Sequence, residues 1–294
     1  MANPWLDRRV VAYAHQGGAK EAPSSTLYAI DRAISAGATA IELDVHSTLD
    51  GELVVCHDPT LDRTTESSGR IARRTLAEVT SLDNAYWFVP GRDSPHGLAA
   101  AEYPLRGRAR EEPGLRVAAL RDVLERFPGV VLNLDIKQTA PAVPPYEAAL
   151  ARMLREHGRV DDVIVASFHD RATEAFSRLA PEIPTSAGRA AVTAFTLAHL
   201  ARRRPARRRT GHVALQVPAR AFGRTLVDGR YVEDAHAVGL AVHVWTVDDA
   251  QEIERLVACG VDGIISDRPG VLAAVLERAG ATWRDAPGVP RPAS

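Results

Sequence analysis

Polar side chains follow or end three short apolar runs near the start of the chain, and their types could support acid, base and cation chemistry. The runs 10–14, 39–45 and Leu53–Val55 are predicted strands. His15 follows the first, Glu42 and Asp44 lie near the end of the second, and His57 follows the third. Because side chains two residues apart in a strand share a face, Glu42 and Asp44 point the same way. Two such carboxylates repel unless a positive charge lies between them, and a hard divalent cation is the usual solution. Two histidines nearby could then act as acid and base.

Each of these features also has an ordinary structural explanation. A histidine at a strand end is more often a hydrogen-bonded structural group, and a Glu-x-Asp pair can lie on a solvated face. The agreement of three successive strand ends favours a functional site, because parallel α/β sheets bind ligands at the carboxyl ends of their strands.

Taken together, these motifs resemble the glycerophosphodiester phosphodiesterase family. The order is His-x-Gly-Gly at 15–18, Pro-Ser-Ser-Thr at 23–26, Glu-x-Asp-Val at 42–45 and Val-Val-x-His-Asp-Pro-Thr-Leu-Asp-Arg-Thr-Thr at 54–65. The similarity continues through 132–137, 167–168, 244–247 and 262–269. Each motif alone is weak, but the set is specific and extends from about residue 10 to about residue 280.

The resemblance implies that residues 1–294 form a single, somewhat irregular (β/α)8 TIM barrel with an insertion after the third strand. Asp50-Gly51 is a turn signal between the second and third strands, and so short a link leaves no room for a full helix. Nine strand candidates compete for eight barrel places. We expect that either the weak run 184–186 or the last strand, Gly263–Ser266, does not belong to the barrel.

The insertion, at about 84–113, is irregular and rich in Gly, Pro and Arg. A loop of this length in a compact domain is usually functional or disordered. The resemblance implies a lid over the barrel mouth, and aromatic residues of the lid could contact an acyl chain or a leaving alcohol. The favoured alternative for the aromatics is a satellite cluster that packs the insertion onto the barrel. The aromatic residues are Tyr86, Trp87, Phe88 and Tyr103.

The resemblance assigns roles to the polar residues at the strand ends. His15 and His57 are implied as the acid and the base, and Glu42, Asp44 and Asp135 as ligands of one divalent cation. An all-carboxylate set suits Ca²⁺ or Mg²⁺.

Three further residues are expected to contact the substrate. Lys137 shares a strand face with Asp135 and would meet a phosphate oxygen, although a buried Asp–Lys ion pair is the alternative. Trp245 lies in a predicted strand that ends at the same edge. Gln16 follows the first histidine directly.

The sequence departs from the family pattern at three positions. Gln16 stands where the family usually has arginine, so a charged phosphate contact becomes a neutral one. Ser24 replaces an acid in the Pro-Glu-Asn-Thr turn, and Asp135 replaces a longer glutamate ligand. Substrate and metal binding could differ from the family's as a result.

The implied activity is metal-dependent hydrolysis of glycerophosphodiesters to glycerol 3-phosphate and an alcohol, by histidine acid/base catalysis. In the family the adjacent glycerol hydroxyl is thought to attack the phosphate, and water then opens the cyclic product. Two alternatives stay open. The first is lysophospholipase D-like action on phospholipids. The second is a non-catalytic barrel that binds phosphodiesters, since Gln16 and Ser24 are altered.

Bulk properties limit the partners. The net charge of −1 gives no general attraction to nucleic acid. Six arginines within 202–209 could meet an anionic membrane surface or nucleic acid, but no aromatic residue interleaves them, and a solvated loop is the favoured interpretation. We therefore expect a small-molecule substrate, either a glycerophosphodiester or a lysophospholipid. We expect no nucleic acid and no obligate protein partner, and contact with an anionic membrane surface would be transient.

The compartment is predicted from cysteine usage and from the N-terminus. Cys56 and Cys259 both lie in apolar runs, which is typical of buried free thiols in a reducing environment. The start of the chain has no apolar signal core, and no apolar run is long enough to span a bilayer. These features predict a soluble cytoplasmic protein.

Overall fold

A closed barrel of eight parallel strands forms the centre of the molecule in the computed structural model, which describes residues 3–203, 211–221, 223–283 and 285. The strands, in chain order, are β1 Val11–His15, β2 Ala40–Ser47, β3 Leu53–Val55, β4 Ala118–Ala119, β5 Val131–Ile136, β6 Val163–Ala166, β7 Thr185–Ser186, β8 His212–Pro218, β9 Arg220–Ala221, β10 Arg224–Thr225, β11 Ala241–Trp245 and β12 Gly263–Ser266. The barrel runs β1–β2–β5–β6–β7–β8–β11–β12, and β12 pairs with β1 to close it. The predicted TIM-barrel fold is confirmed.

Of the nine strand candidates, β3 is the one that lies outside the parallel barrel, and this corrects the sequence-based expectation. β3 pairs antiparallel with β2, and β4 pairs antiparallel with β3. Both strands suspected of not fitting belong to the barrel, since β7 pairs with β6 and β8, and β12 pairs with β1 and β11. The reason is the short link between β2 and β3. A parallel return needs a crossover of a dozen or more residues, whereas 48–52 permits only a hairpin-like reversal.

Helices surround the barrel and return the chain from each barrel strand to the next. They are α1 Leu27–Ser35, α2 Leu76–Thr80, α3 Leu120–Arg126, α4 Glu147–Glu156, α5 Asp170–Leu179, α6 Arg189–Leu200, α7 Gly229–Ala237, α8 Ala250–Cys259 and α9 Pro269–Arg278. The N-cap of α1 is Thr26, whose hydroxyl accepts from the Ala29 amide at 3.0 Å. Gly37, at φ 100°, follows α1 and permits the sharp turn into β2.

Apolar side chains fill both the barrel interior and the space between strands and helices. A cluster inside the barrel contains Trp5, Val11, Tyr13, Ala40, Val131, Ile164, Ala214, Ala241 and Ile265. Two larger clusters lie between the strands and the surrounding helices, one on each half of the barrel. Filling the interior leaves polar side chains to gather at the carboxyl ends of the strands.

The segment 84–113 packs beside the loops that follow β1 and β3. The Asn84 amide donates to the Ser24 carbonyl at 2.8 Å, and the Trp87 indole donates to the Thr65 carbonyl at 2.8 Å. The Arg106 guanidinium lies over the rings of Tyr86, Trp87 and Tyr103, as expected of a satellite cluster. A lid over the barrel mouth stays a prediction.

Two other predictions concern the surface and the termini. In the described ranges, no helix is long and apolar enough to cross a membrane. Arg202 and Arg203 are exposed, while residues 204–209 of the arginine cluster and residues 286–294 at the C-terminal end lie outside the described residues.

Candidate active site

A cavity of about 420 Å³ opens at the carboxyl ends of the barrel strands. Part of its lining is polar and includes His15, Glu42, Asp44, His57, Asn133, Asp135, Lys137 and Gln216. Other lining residues are largely apolar, with Ala166, Phe168, Ala187, Val192, Pro218, Trp245 and Ile265, and Arg189 adds a positive charge. In the described part of the chain, no lining residue comes from 84–113. The cavity therefore contains every predicted catalytic and metal residue, and both Lys137 and Trp245.

Strand register brings the polar residues together. β1 pairs with β2 so that His15 lies opposite Glu42, and β2 pairs with β5 so that Asp44 lies opposite Asp135. Asp44 and Asp135 are about ninety residues apart in the sequence, and the parallel pairing of β2 with β5 makes them neighbours.

Lys137 compensates the charge of the buried carboxylates. Its ammonium lies 2.9 Å from Asp44 Oδ1 and 3.7 Å from Asp135 Oδ2. Burial lowers the pKa of Lys137, but Asp44 and Asp135 more than offset this, so its pKa is raised overall. Burial and the nearby Asp44 carboxylate raise the pKa of both Glu42 and Asp135. The pocket is thus built so that additional positive charge is favourable.

The donor chemistry of this cluster fits a divalent cation. Asp44 Oδ2 and Asp135 Oδ1 are buried, and neither has a hydrogen-bond partner among the described residues. Oxygen donors of this kind are the preferred ligands of Ca²⁺ and Mg²⁺. Nevertheless, no group of three or more His, Cys, Asp or Glu side chains in the described ranges is arranged to hold a metal ion. The structure therefore supports the ligand types but does not show a metal site.

His15 is fixed by a carboxylate that the sequence reasoning did not identify. Its Nδ1 lies 2.6 Å from Asp267 Oδ1, and its Nε2 lies 3.7 Å from Glu42 Oε2. Burial lowers the pKa of His15, but the carboxylates of Glu42 and Asp267 outweigh that effect and raise the pKa to about 9. The motif Ser266-Asp267 was visible in the sequence, and closure of the barrel between β12 and β1 explains why Asp267 reaches His15.

His57 has a matching arrangement. Its Nδ1 lies 2.6 Å from Asp58 Oδ1, and the Arg63 Nε donates to Asp58 Oδ2 at 2.6 Å. The hydrogen bond from His57, together with Arg63, holds the pKa of Asp58 well below its usual range. The rings of His15 and His57 are 6.3 Å apart between centroids and inclined at 84°. Two histidines whose Nδ1 atoms face aspartates keep their Nε2 atoms for proton transfer.

The two remaining predicted substrate contacts differ in position. Trp245 lines the cavity and packs edge-to-face against Phe168, with ring centroids 5.7 Å apart. Gln16 is 4% exposed, and its Nε2 lies 3.2 Å from His15 Nε2. Gln16 does not line the described cavity, so its contact with substrate stays a prediction.

The sequence reasoning gave no role to several residues of the site, although Asn133 and Phe168 lie in segments that resemble the family. Asn133 and Gln216 line the cavity, and the Gln216 amide donates to Asn133 Oδ1 at 3.0 Å. Phe168 and Arg189 follow β6 and β7, strands too short to give a strong pattern. For Arg189 the position after a strand end was the signal in the sequence, whereas Phe168 also lies in the segment 167–168 that resembles the family.

The fold and the site define a class of protein: a TIM-barrel enzyme with paired histidines and clustered carboxylates at the barrel mouth. Residues 15–271 match the Glycerophosphoryl diester phosphodiesterase family, and the chain belongs to that family.

Known proteins agree with this assignment. The chain is 29% identical over 277 residues to a glycerophosphodiester phosphodiesterase of Caldanaerobacter subterraneus subsp. tengcongensis, covering 92% of this chain and 100% of that one. It is 30% identical over 270 residues to a probable glycerophosphodiester phosphodiesterase 2 of Mycobacterium tuberculosis, covering 90% of each.

Solved structures show the same fold. The crystal structure of the glycerophosphodiester phosphodiesterase from Agrobacterium tumefaciens matches with a TM-score of 0.67 and 26% identity, covering 90% of this chain and 99% of that chain. A phosphodiesterase of Oleispira antarctica in complex with its product sn-glycerol-3-phosphate shares the fold, with a TM-score of 0.69 and 24% identity, covering 93% of this chain and 99% of that chain.

Proposed function

We propose that this chain hydrolyses glycerophosphodiesters to glycerol 3-phosphate and an alcohol, with a divalent cation and with His15 and His57 as acid and base. The observation that carries the proposal is that these two histidines, 6.3 Å apart, share one cavity with Glu42, Asp44 and Asp135. The names of the curated relatives and the product bound to the Oleispira antarctica enzyme support the substrate class.

Each part of the site has a role in this reaction. One histidine takes the proton from the attacking oxygen, and the other gives a proton to the leaving alcohol. Lys137 supplies fixed positive charge near the phosphate. Glu42, Asp44 and Asp135 would hold the cation, Ca²⁺ or Mg²⁺, which when bound would offset negative charge on the phosphate. Gln16 and Trp245 are proposed to contact the substrate.

The test is release of glycerol 3-phosphate and choline from glycerophosphocholine, with Ca²⁺, with Mg²⁺ and with a chelator. We expect metal-dependent turnover that falls by at least about 10³-fold in His15→Ala and in His57→Ala, because both proton transfers need an imidazole. The control is His157→Gln. His157 is the C-cap of α4, does not line the cavity, and has its Nδ1 2.9 Å from the Met153 carbonyl. Turnover in His157→Gln is therefore expected to match the wild type.

Turnover that persists in both alanine variants would overturn the histidine mechanism. Full activity in chelator would overturn the metal requirement. Binding of glycerophosphocholine without any turnover would support the phosphodiester-binding barrel instead.

The apolar part of the cavity supports a second candidate, a lysophospholipase D-like activity. Phe168 is 53% exposed beside Trp245, and Val192 and Pro218 also line the cavity. Such a surface suits an acyl chain better than it suits a purely polar substrate. Faster cleavage of lysophosphatidylcholine than of glycerophosphocholine would establish this candidate as the main activity.

Partners and location remain proposals. We expect a small-molecule substrate, no nucleic acid and no obligate protein partner. Exposed Arg202 and Arg203 are compatible with transient contact with an anionic membrane surface. The cysteines Cys56 and Cys259 are free thiols, as expected for a cytoplasmic location.

A further inference from the structure

Both histidines of the site are oriented by carboxylates that do not belong to the proposed cation cluster. Asp58 lies against Nδ1 of His57, and Asp267 lies against Nδ1 of His15, each at 2.6 Å. A carboxylate in this position fixes the direction of the imidazole ring and the tautomer it adopts. The orientation of each carboxylate therefore matters for turnover, even though neither aspartate lines the cavity.

Asp58 accepts a hydrogen bond from Arg63, and Arg63 is also hydrogen-bonded to the segment 84–113. Arg63 donates from Nε to Asp58 at 2.6 Å and from a terminal nitrogen to Asp93 Oδ1 at 2.8 Å. His96 Nε2 lies 3.2 Å from the Arg63 carbonyl. The side chains of Asn84 and Trp87 fix the next two residues, since the Thr64 hydroxyl donates to Asn84 at 2.6 Å and Trp87 donates to the Thr65 carbonyl.

Asp267 is held by a similar but less direct arrangement. Lys20 Nζ lies 2.5 Å from Asp248 Oδ2 and 3.9 Å from Asp267 Oδ2. The Asp267 amide donates to Asp248 Oδ1 at 2.8 Å, and the Lys20 amide donates to the Asp267 carbonyl at 3.1 Å. The Gly91 amide donates to the Lys20 carbonyl at 2.7 Å. The same segment thus contacts the loop on each side of the site.

We propose that the segment 84–113 positions both histidines: it acts on His57 through Arg63 and Asp58, and on His15 through Lys20 and Asp267. Arg63, Lys20, Asp58 and Asp267 are positioning residues, because each acts through a histidine. The proposal rests on the proposed function of that site. It gives the segment a role that needs no contact with substrate, in agreement with its absence from the described cavity lining.

The experiment compares Arg63→Gln, Asp93→Asn and Lys20→Met with Arg92→Gln, using glycerophosphocholine hydrolysis. Loss of an orienting partner is expected to lower kcat about 10- to 100-fold in Arg63→Gln and Lys20→Met, with KM changed less than about 2-fold. Asp93 is 81% exposed, so Asp93→Asn is expected to lose only about 2- to 5-fold. Arg92, the exposed neighbour of Asp93, serves as the matched control and should match the wild type.

A spectroscopic measurement separates positioning from general loss of structure. In the wild type, the proton on His57 Nδ1 should give a downfield NMR signal because it is shared with Asp58. We expect that signal to move upfield or broaden in Arg63→Gln while the melting temperature stays within about 3 °C, and to recover in part in Arg63→Lys, which restores the charge but not the planar fork.

Two results would overturn the proposal. One is a kcat within 2-fold of wild type in both Arg63→Gln and Lys20→Met with an unchanged His57 signal. The other is a rise in KM at constant kcat, which a lid over the mouth predicts. If the wild type does not hydrolyse glycerophosphocholine, the proposed function fails, whereas the effect of Arg63→Gln on the His57 signal still decides the positioning role.

Discussion

At the scale of single residues, burial without a carboxylate partner lowers the pKa of a histidine, as His243 shows in contrast to His15. His243 lies inside the barrel with no exposed surface, and neither ring nitrogen has a hydrogen-bond partner among the described residues. Its neighbours are the rings of Tyr13 and Trp5, with centroids 5.2 and 6.1 Å away, and the charge of Asp262 acts on it at longer range. Burial lowers the pKa of His243 to about 4.

The contribution of His243 to stability should therefore fall as pH falls from about 6.5 to about 4. In this interval the unfolded chain binds a proton at His243 that the folded chain does not, so the contribution is complete above the unfolded pKa and is lost progressively as pH falls toward the folded pKa. At pH 5 the expected loss is about 2 kcal/mol relative to pH 7.5. Urea unfolding at both pH values measures it, with His243→Phe as the non-titrating control. An equal loss in wild type and control would contradict the prediction.

At the scale of secondary structure, β12 requires a residue without a side chain where it passes two rings. A Cβ on Gly263 would lie 2.8 Å from His243 Cδ2 and 3.0 Å from Tyr13 Cε2. Both rings are buried in the barrel and cannot move away cheaply. The glycine is thus a packing requirement of the strand, because its backbone angles are not unusual.

We expect Gly263→Ala to reduce the free energy of unfolding by about 1–3 kcal/mol through overpacking. Gly229, the first residue of α7, provides the contrast, since a Cβ there would meet nothing within 4 Å. Gly229→Ala should be neutral or stabilising by up to about 1 kcal/mol. Denaturant midpoints of the two variants test the difference. Equal midpoints would show that the rings of His243 and Tyr13 move to accommodate the added methyl group.

At the scale of the whole molecule, the N-terminal segment closes one end of the barrel. Trp5 is fully buried in the interior cluster, and the Arg8 guanidinium lies 4.3 Å from the centre of its ring. The Asn3 amide donates to the carbonyls of Val213 at 2.7 Å and Gly239 at 2.9 Å. The barrel is therefore sealed opposite the cavity by residues that precede its first strand.

Trp5→Ala should lower the free energy of unfolding by about 3–5 kcal/mol, because it leaves a large cavity in the barrel interior. Phe168→Ala, at a side chain 53% exposed, should change stability by less than about 0.5 kcal/mol. Urea unfolding monitored by circular dichroism compares the two. A similar loss in both would mean that Trp5 contributes no more to stability than a surface ring does.

The sequence by itself determined the fold class and most of the polar residues in the cavity. Spacing of two along a strand placed Glu42 with Asp44, and Asp135 with Lys137, because side-chain direction in a strand is a local property. The end of each apolar run also marked where His15 and His57 lie. These features need only the chain's own geometry.

Only the tertiary structure decided which strands form the barrel and which residues hold the histidines. The short link after β2 forced β3 to run antiparallel, and this left room for β7 and β12. Asp267 and His15 are 252 residues apart in the sequence, and they meet only because the last strand of the barrel pairs with the first. Such contacts depend on barrel closure, a property of all eight strands that no local pattern records.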